Sequence, residues 1–131
     1  MATLSSIITQ LSKKFDMPYR KINDHEFVLE VKFDDDRSQA VEVAIREDED
    51  GQEWMFMHSV IGPIDELDAH ELLKRNDAPG YAYVAADKDE AFVQAQIPLD
   101  SCDVELCKEM IFKTASFADA LEDEFIGGDK E

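Results

Sequence analysis

The sequence predicts an α+β domain: an antiparallel β-sheet with helices on one face, its elements in the order α-β-β-β-α-β-β-α. Three observations lead there. Apolar residues recur at helical spacing near both ends of the chain and with period two between them. The connections within each group of strands are short enough for hairpins, which makes neighbouring strands antiparallel. A length of 131 residues suits one domain with a substantial core.

Leu4, Ile7, Ile8, Leu11 and Phe15 place an amphipathic helix over 3–16, closed off by Pro18. Phe27, Leu29, Val31 and Phe33 then alternate with Val28, Glu30 and Lys32, as in a strand, and Asp34-Asp35-Asp36 forms its tip. Val41, Val43 and Ile45 make a second strand. Asp48-Glu49-Asp50-Gly51 turns the chain back, Gly51 supplying the positive φ such turns use. A third strand covers 53–61 and ends at Gly62-Pro63.

A second helix begins at 65 or 68 and runs to 75, where Asp68 and Glu71 read as a capping-box-like start. The run Asn76-Asp77-Ala78-Pro79-Gly80 stops it. Strands at 81–85 and 91–97 flank the turn Asp87-Lys88-Asp89-Glu90. In the last helix Val104, Cys107, Ile111, Thr114, Ala118, Leu121 and Phe125 step alternately by three and four, and Met110 and Phe117 widen the stripe. Gly127-Gly128 ends it. The chain therefore divides into one domain, 1–126, and a short charged tail, 127–131.

Composition narrows the partners. Thirteen Lys and Arg against thirty-one Asp and Glu leave a formal charge of −18. Such a surface repels phosphate backbones and anionic headgroups, so neither nucleic acid nor membrane is expected as a partner. Hydrophobic residues at 44% argue for a folded core and against disorder. No apolar run has the length of a membrane span, and Met1–Ser6 lacks the basic start of a signal peptide. Cys102 and Cys107, five apart in what reads as helix, point along different faces, so they are expected to stay reduced, in the cytoplasm.

No constellation for chemistry stands out. An EF-hand loop with Gly51 at its sixth position would begin at Arg46 and end at Met57, where carboxylates are needed. His25, His58 and His70 lack zinc spacing to each other or to the cysteines. Cys107 falls on the apolar stripe of the last helix, the ordinary place for a small buried thiol. Phosphate loop, nucleophile elbow and dinucleotide fingerprint are all missing from the sequence. The expectation is a binding protein with no catalytic residues, no metal and no cofactor.

The third strand offers a surface. Met55 and Met57 point to one face of it, Trp54, Phe56 and Val60 to the other. Helices covering one face leave the other for a partner or a dimer contact; wrapped on both, these side chains are core. The open strand edges are a second route, since an extended peptide adds to an edge by main-chain hydrogen bonds.

Leu72-Leu73 with Asn76 at the helix end, Gly80-Tyr81-Ala82-Tyr83, the strand 92–97 and Pro98-Leu99-Asp100 before a long last helix together carry a resemblance. With the order of elements and the Gly62 turn, the chain resembles the type III secretion chaperones of the Tir-chaperone (CesT-like) type and the YbjN-like bacterial domains. The resemblance implies a small acidic protein, commonly a homodimer, holding an extended segment of a client polypeptide on apolar patches without nucleotide or metal. Its YbjN-like branch implies instead a regulatory protein acting by protein-protein contact in signalling or stress response. The candidate partner-binding residues are Leu4, Ile8, Leu11, Trp54 and Phe56, each also placed where core residues fall.

Overall fold

In the computed structural model, residues 3–33 and 37–126 are described; the Asp34–Asp36 tip, Gly127-Gly128 and the 127–131 tail fall outside them. The elements are α1 (Leu4–Phe15), β1 (Tyr19–Asn23), β2 (Glu26–Lys32), β3 (Ser38–Glu47), β4 (Glu53–Pro63), α2 (Ala69–Lys74), β5 (Tyr83–Ala86), β6 (Glu90–Pro98) and α3 (Val104–Phe125). Short 3₁₀ turns at Ile64–Glu66, Arg75–Asp77 and Leu99–Ser101 join them. The class is the expected α+β, with one strand more than the sequence predicts. The extra strand is β1, whose five residues are all exposed and so carry no alternation of burial to read.

The six strands lie in the order β1-β2-β3-β4-β6-β5, and every pairing is antiparallel. One face of the sheet is interior. Phe27, Leu29 and Val31 of β2, Val41 and Val43 of β3, and Met55 and Met57 of β4 are buried there with Ile8 and Leu11 of α1 and Ile111 of α3. A second cluster joins Ile61, Val84, Ala91 and Val93 to Leu72 of α2 and Ala118 and Leu121 of α3. Each large side chain fully buried in this way contributes about 1.5–3 kcal/mol, so this layer dominates the stability.

Each helix starts on a side-chain cap. Thr3, Asp68 and Asp103 accept hydrogen bonds from the backbone N–H groups of Ser6, Glu71 and Leu106 at 3.1, 3.2 and 2.8 Å. α1 ends at Asp16, in the left-handed region (φ 54°), before Pro18 blocks continuation. β4 runs two residues beyond its expected end, because a bulge opposite β6 between Val60 and Gly62 carries the ladder past the glycine. A side chain at 62 would run into Ile126 at the end of α3, which suits glycine there.

The cysteines correct one expectation. Cys102 lies outside α3, two residues before its first turn, and Cys107 sits in that first turn. These are the two positions of a hydrophobic staple, so the buried thiols meet across the helix start and do not diverge. Both are free.

Candidate binding surface

The face of the sheet away from the helices is lined by side chains that pairing register arranges in rows. One row runs Arg20–Val28–Glu42–His58–Gln94–Tyr83 through β1, β2, β3, β4, β6 and β5. Its neighbours are Glu26–Ala44–Phe56–Gln96 and Arg46–Trp54–Pro98 on one side, and Val60–Phe92–Ala85 on the other. Trp54, Phe56, His58, Val60 and Phe92 are all half-buried, although none of the helices lies on this face. Methionines inward and aromatics outward is one of the two arrangements the alternation of β4 allowed.

Polar groups on this face are mostly spent on one another. The Trp54 indole Nε1–H donates to Asp48 Oδ2 at 2.9 Å. The Arg46 guanidinium lies 4.9 Å from the Phe56 ring centroid, a cation–π arrangement. The amides of Gln94 and Gln96 both donate to the Tyr83 hydroxyl at 2.9 Å. His58 packs on the Phe92 ring at 5.3 Å with its Nε2 3.4 Å from Glu42. On β4, β5 and β6 the outward positions Trp54, Phe56, His58, Val60, Tyr83, Ala85, Phe92, Gln94 and Gln96 carry no carboxylate; Glu90, exposed at the start of β6, is the next outward position beyond Phe92.

The five candidate residues separate. Leu4, Ile8 and Leu11 are 3%, 0% and 0% exposed, packed under the sheet, so the folded chain presents none of them to a partner. A stripe that packs on a sheet and one that packs on a partner have the same spacing, and the sheet takes this one. Trp54 and Phe56 lie on the outer face. Phe92 and Tyr83 join them there; their signal was the alternation of Phe92 with buried Ala91, Val93 and Ala95.

The two edges of the sheet differ. On β5, Asn76 donates from Nδ2 to the Val84 carbonyl at 3.2 Å and accepts from the Val84 N–H at 2.6 Å. Its amide occupies the outer hydrogen-bonding groups of the edge as a further strand would. β1 pairs with β2 on one side, and its exposed Tyr19 and Ile22 flank a side with no strand beyond it.

The remaining hollows lie on the helix side and at the β1 end. One of about 390 Å³ lies between the Ala78–Ala82 loop and Glu109, Lys113 and Phe117 of α3. Another, about 260 Å³, is bounded by Phe15, Met17, Phe112 and Lys108. Neither gathers a catalytic set. Cys107 is buried with its thiol on Met55 Sδ at 3.8 Å, and the neighbouring Cys102 thiol and burial push its pKa up. Among the described residues no group of three or more His, Cys, Asp or Glu is placed to hold a metal ion, and no helix is long and apolar enough to cross a membrane.

Eight chains of solved structures match this fold. One is from the crystal structure of the ExsC-ExsE complex, with a TM-score of 0.61 over 95% of this chain and 97% of that one, at 15% identity. That likeness shows a shared fold along nearly the whole length. No protein-family model and no curated protein matches the chain.

Proposed function

We propose that this is a chaperone-like protein that binds a segment of a partner polypeptide, resembling the type III secretion chaperones, and that it acts as a homodimer without cofactor or catalysis. The observation that carries the reading is the outer face of the sheet: a half-buried aromatic ridge of Trp54, Phe56, Val60 and Phe92, left uncovered by the helices and bounded on β6 by the exposed Glu90. Apolar faces of this kind mark contact surfaces. The fold it shares with a chain from the ExsC-ExsE complex supports the same reading.

In this reading the client lies along the Trp54–Phe56 end of the ridge, and an extended stretch of it reaches the free edge of β1. The test is capture of the partner from cells that express both proteins, using the tagged wild-type chain and a Trp54→Ala/Phe56→Ala variant. A polypeptide retained by the wild type and lost by a folded variant is expected. Equal retention by both would remove this face from the function.

A further inference from the structure

We infer that Cys102 and Cys107 are a modification site, an oxidant-sensitive pair that a peroxide closes reversibly into a disulfide. The site is separate from the outer sheet face and does not depend on the proposed client. The two residues stand at the entrance to α3, Cys102 just before the capping Asp103 and Cys107 inside the first turn, with four residues between them. A hydrophobic staple brings these two positions into contact across the start of a helix. Both side chains belong to the same buried cluster, and both thiols are free.

Placement gives the two sulfurs different roles. Cys102 lies between exposed Ser101 and exposed Asp103, at the outer end of the pair. The Cys107 sulfur faces inward, 3.8 Å from Met55 Sδ. The hydrogen bond between the thiols acts in the same sense: it holds Cys102 below the ordinary thiol value, while that bond and burial push Cys107 up. The thiolate is the form that attacks an oxidant, so Cys102 is the nucleophile and Cys107 the resolving thiol. Access comes from opening the short Leu99–Ser101 turn, which the Cys102 N–H closes on the Leu99 carbonyl at 3.2 Å. In the first step the Cys102 thiolate attacks one oxygen of hydrogen peroxide; the O–O bond breaks, hydroxide leaves with the electron pair, and Cys102 becomes a sulfenic acid. The Cys107 sulfur then attacks the Cys102 sulfur, the S–O bond breaks, and the departing hydroxide takes the Cys107 proton to leave as water. Two thiols are oxidised to one disulfide, and peroxide is reduced to water.

Peptide mapping of the folded full chain tests this, after treatment with hydrogen peroxide and alkylation of the remaining thiols in denaturant. Cleavage after Glu105 puts the two cysteines on different peptides. Treated protein should yield these peptides joined and unalkylated, and dithiothreitol should separate them. Closure is expected to be roughly 10-fold or more faster in the native chain than in urea, because the fold holds the sulfurs together. Cys107→Ser should leave Cys102 as a sulfenic acid that dimedone traps, and Cys102→Ser should slow the loss of the Cys107 thiol roughly 10-fold or more. The wild-type map decides by itself if a serine at the helix start unfolds the chain. Thiols that stay alkylatable in the treated native protein, a disulfide formed only in urea or only between chains, or a Cys107 that reacts as fast without Cys102, each overturns the inference.

Discussion

Trp54 donates its indole N–H to Asp48 at 2.9 Å, tying an aromatic of the outer face to the turn that leads into its own strand. The same carboxylate accepts the backbone N–H groups of Asp50 and Gln52 at 2.9 and 3.0 Å. One side chain thus sets the β3–β4 turn and the pose of the tryptophan together.

This arrangement predicts an acid dependence. The Trp54 hydrogen bond, and then the Gln52 backbone N–H, hold the Asp48 carboxyl below its ordinary value of 3.8. A pKa lowered by folding stabilises the protein above the unfolded value, and the contribution disappears as pH falls through the folded one. Asp48→Asn should therefore flatten part of the loss of stability below about pH 4 and leave the neutral-to-basic limb unchanged. Urea midpoints measured against pH for both proteins check this. Trp54→Phe, which keeps a ring and removes the N–H, should move the acid limb in the same direction.

A second expectation concerns α1. Ile8 and Leu11 are fully buried against the sheet, so Ile8→Ala and Leu11→Ala should each lose about 2–5 kcal/mol in denaturant unfolding. Losses below about 1 kcal/mol would mean that α1 is not packed as described and would return these residues to the list of binding candidates.

The stripe of α3 was legible in the sequence because only one of its faces is apolar, and Cys107, Ile111, Thr114, Ala118 and Leu121 are all buried on it. β1 was not legible, since Tyr19–Asn23 buries no side chain and gains its conformation only from pairing with β2. The face covered by the helices was also out of reach, because β4 offers large apolar side chains in both directions. The staple between Cys102 and Cys107 was hidden by the 3₁₀ turn Leu99–Ser101, which keeps Cys102 out of the helix. Periodicity reports which residues share a face; what lies against that face is tertiary information.

The two sides of β4 should respond differently to truncation. Met55 and Met57 are fully buried, and Met57→Ala should lose about 2–5 kcal/mol. Trp54→Ala and Phe56→Ala, on the half-buried face, should each lose less than the roughly 3–5 kcal/mol typical of a core aromatic. Far-UV circular dichroism follows unfolding in all three, since Trp54 is the only tryptophan. If either aromatic costs as much as the methionine, the outer face is better covered than the fold indicates.

The last prediction separates the two edges of the sheet. Asn76 meets the backbone of Val84 with both a donor and an acceptor, so its side chain stands in for a seventh strand beside β5. Asn76→Ala leaves the Val84 N–H and C=O without these partners, at a cost of about 1–3 kcal/mol if water does not replace them. Asn76→Asp keeps the acceptor for the N–H but sets a carboxylate against the carbonyl, so it should be no better tolerated. Beyond stability, Asn76→Ala opens the edge, and an open edge invites pairing between copies. Self-association by the edge would build assemblies larger than a dimer, visible as a concentration-dependent rise in mass beyond that of two chains. Hydrogen exchange at Val84 should rise in the same variant, while exchange in β3 and β4 at the sheet centre stays slow. An unchanged Val84 exchange rate would show that the amide of Asn76 protects nothing, and the asymmetry of the two edges would need another cause.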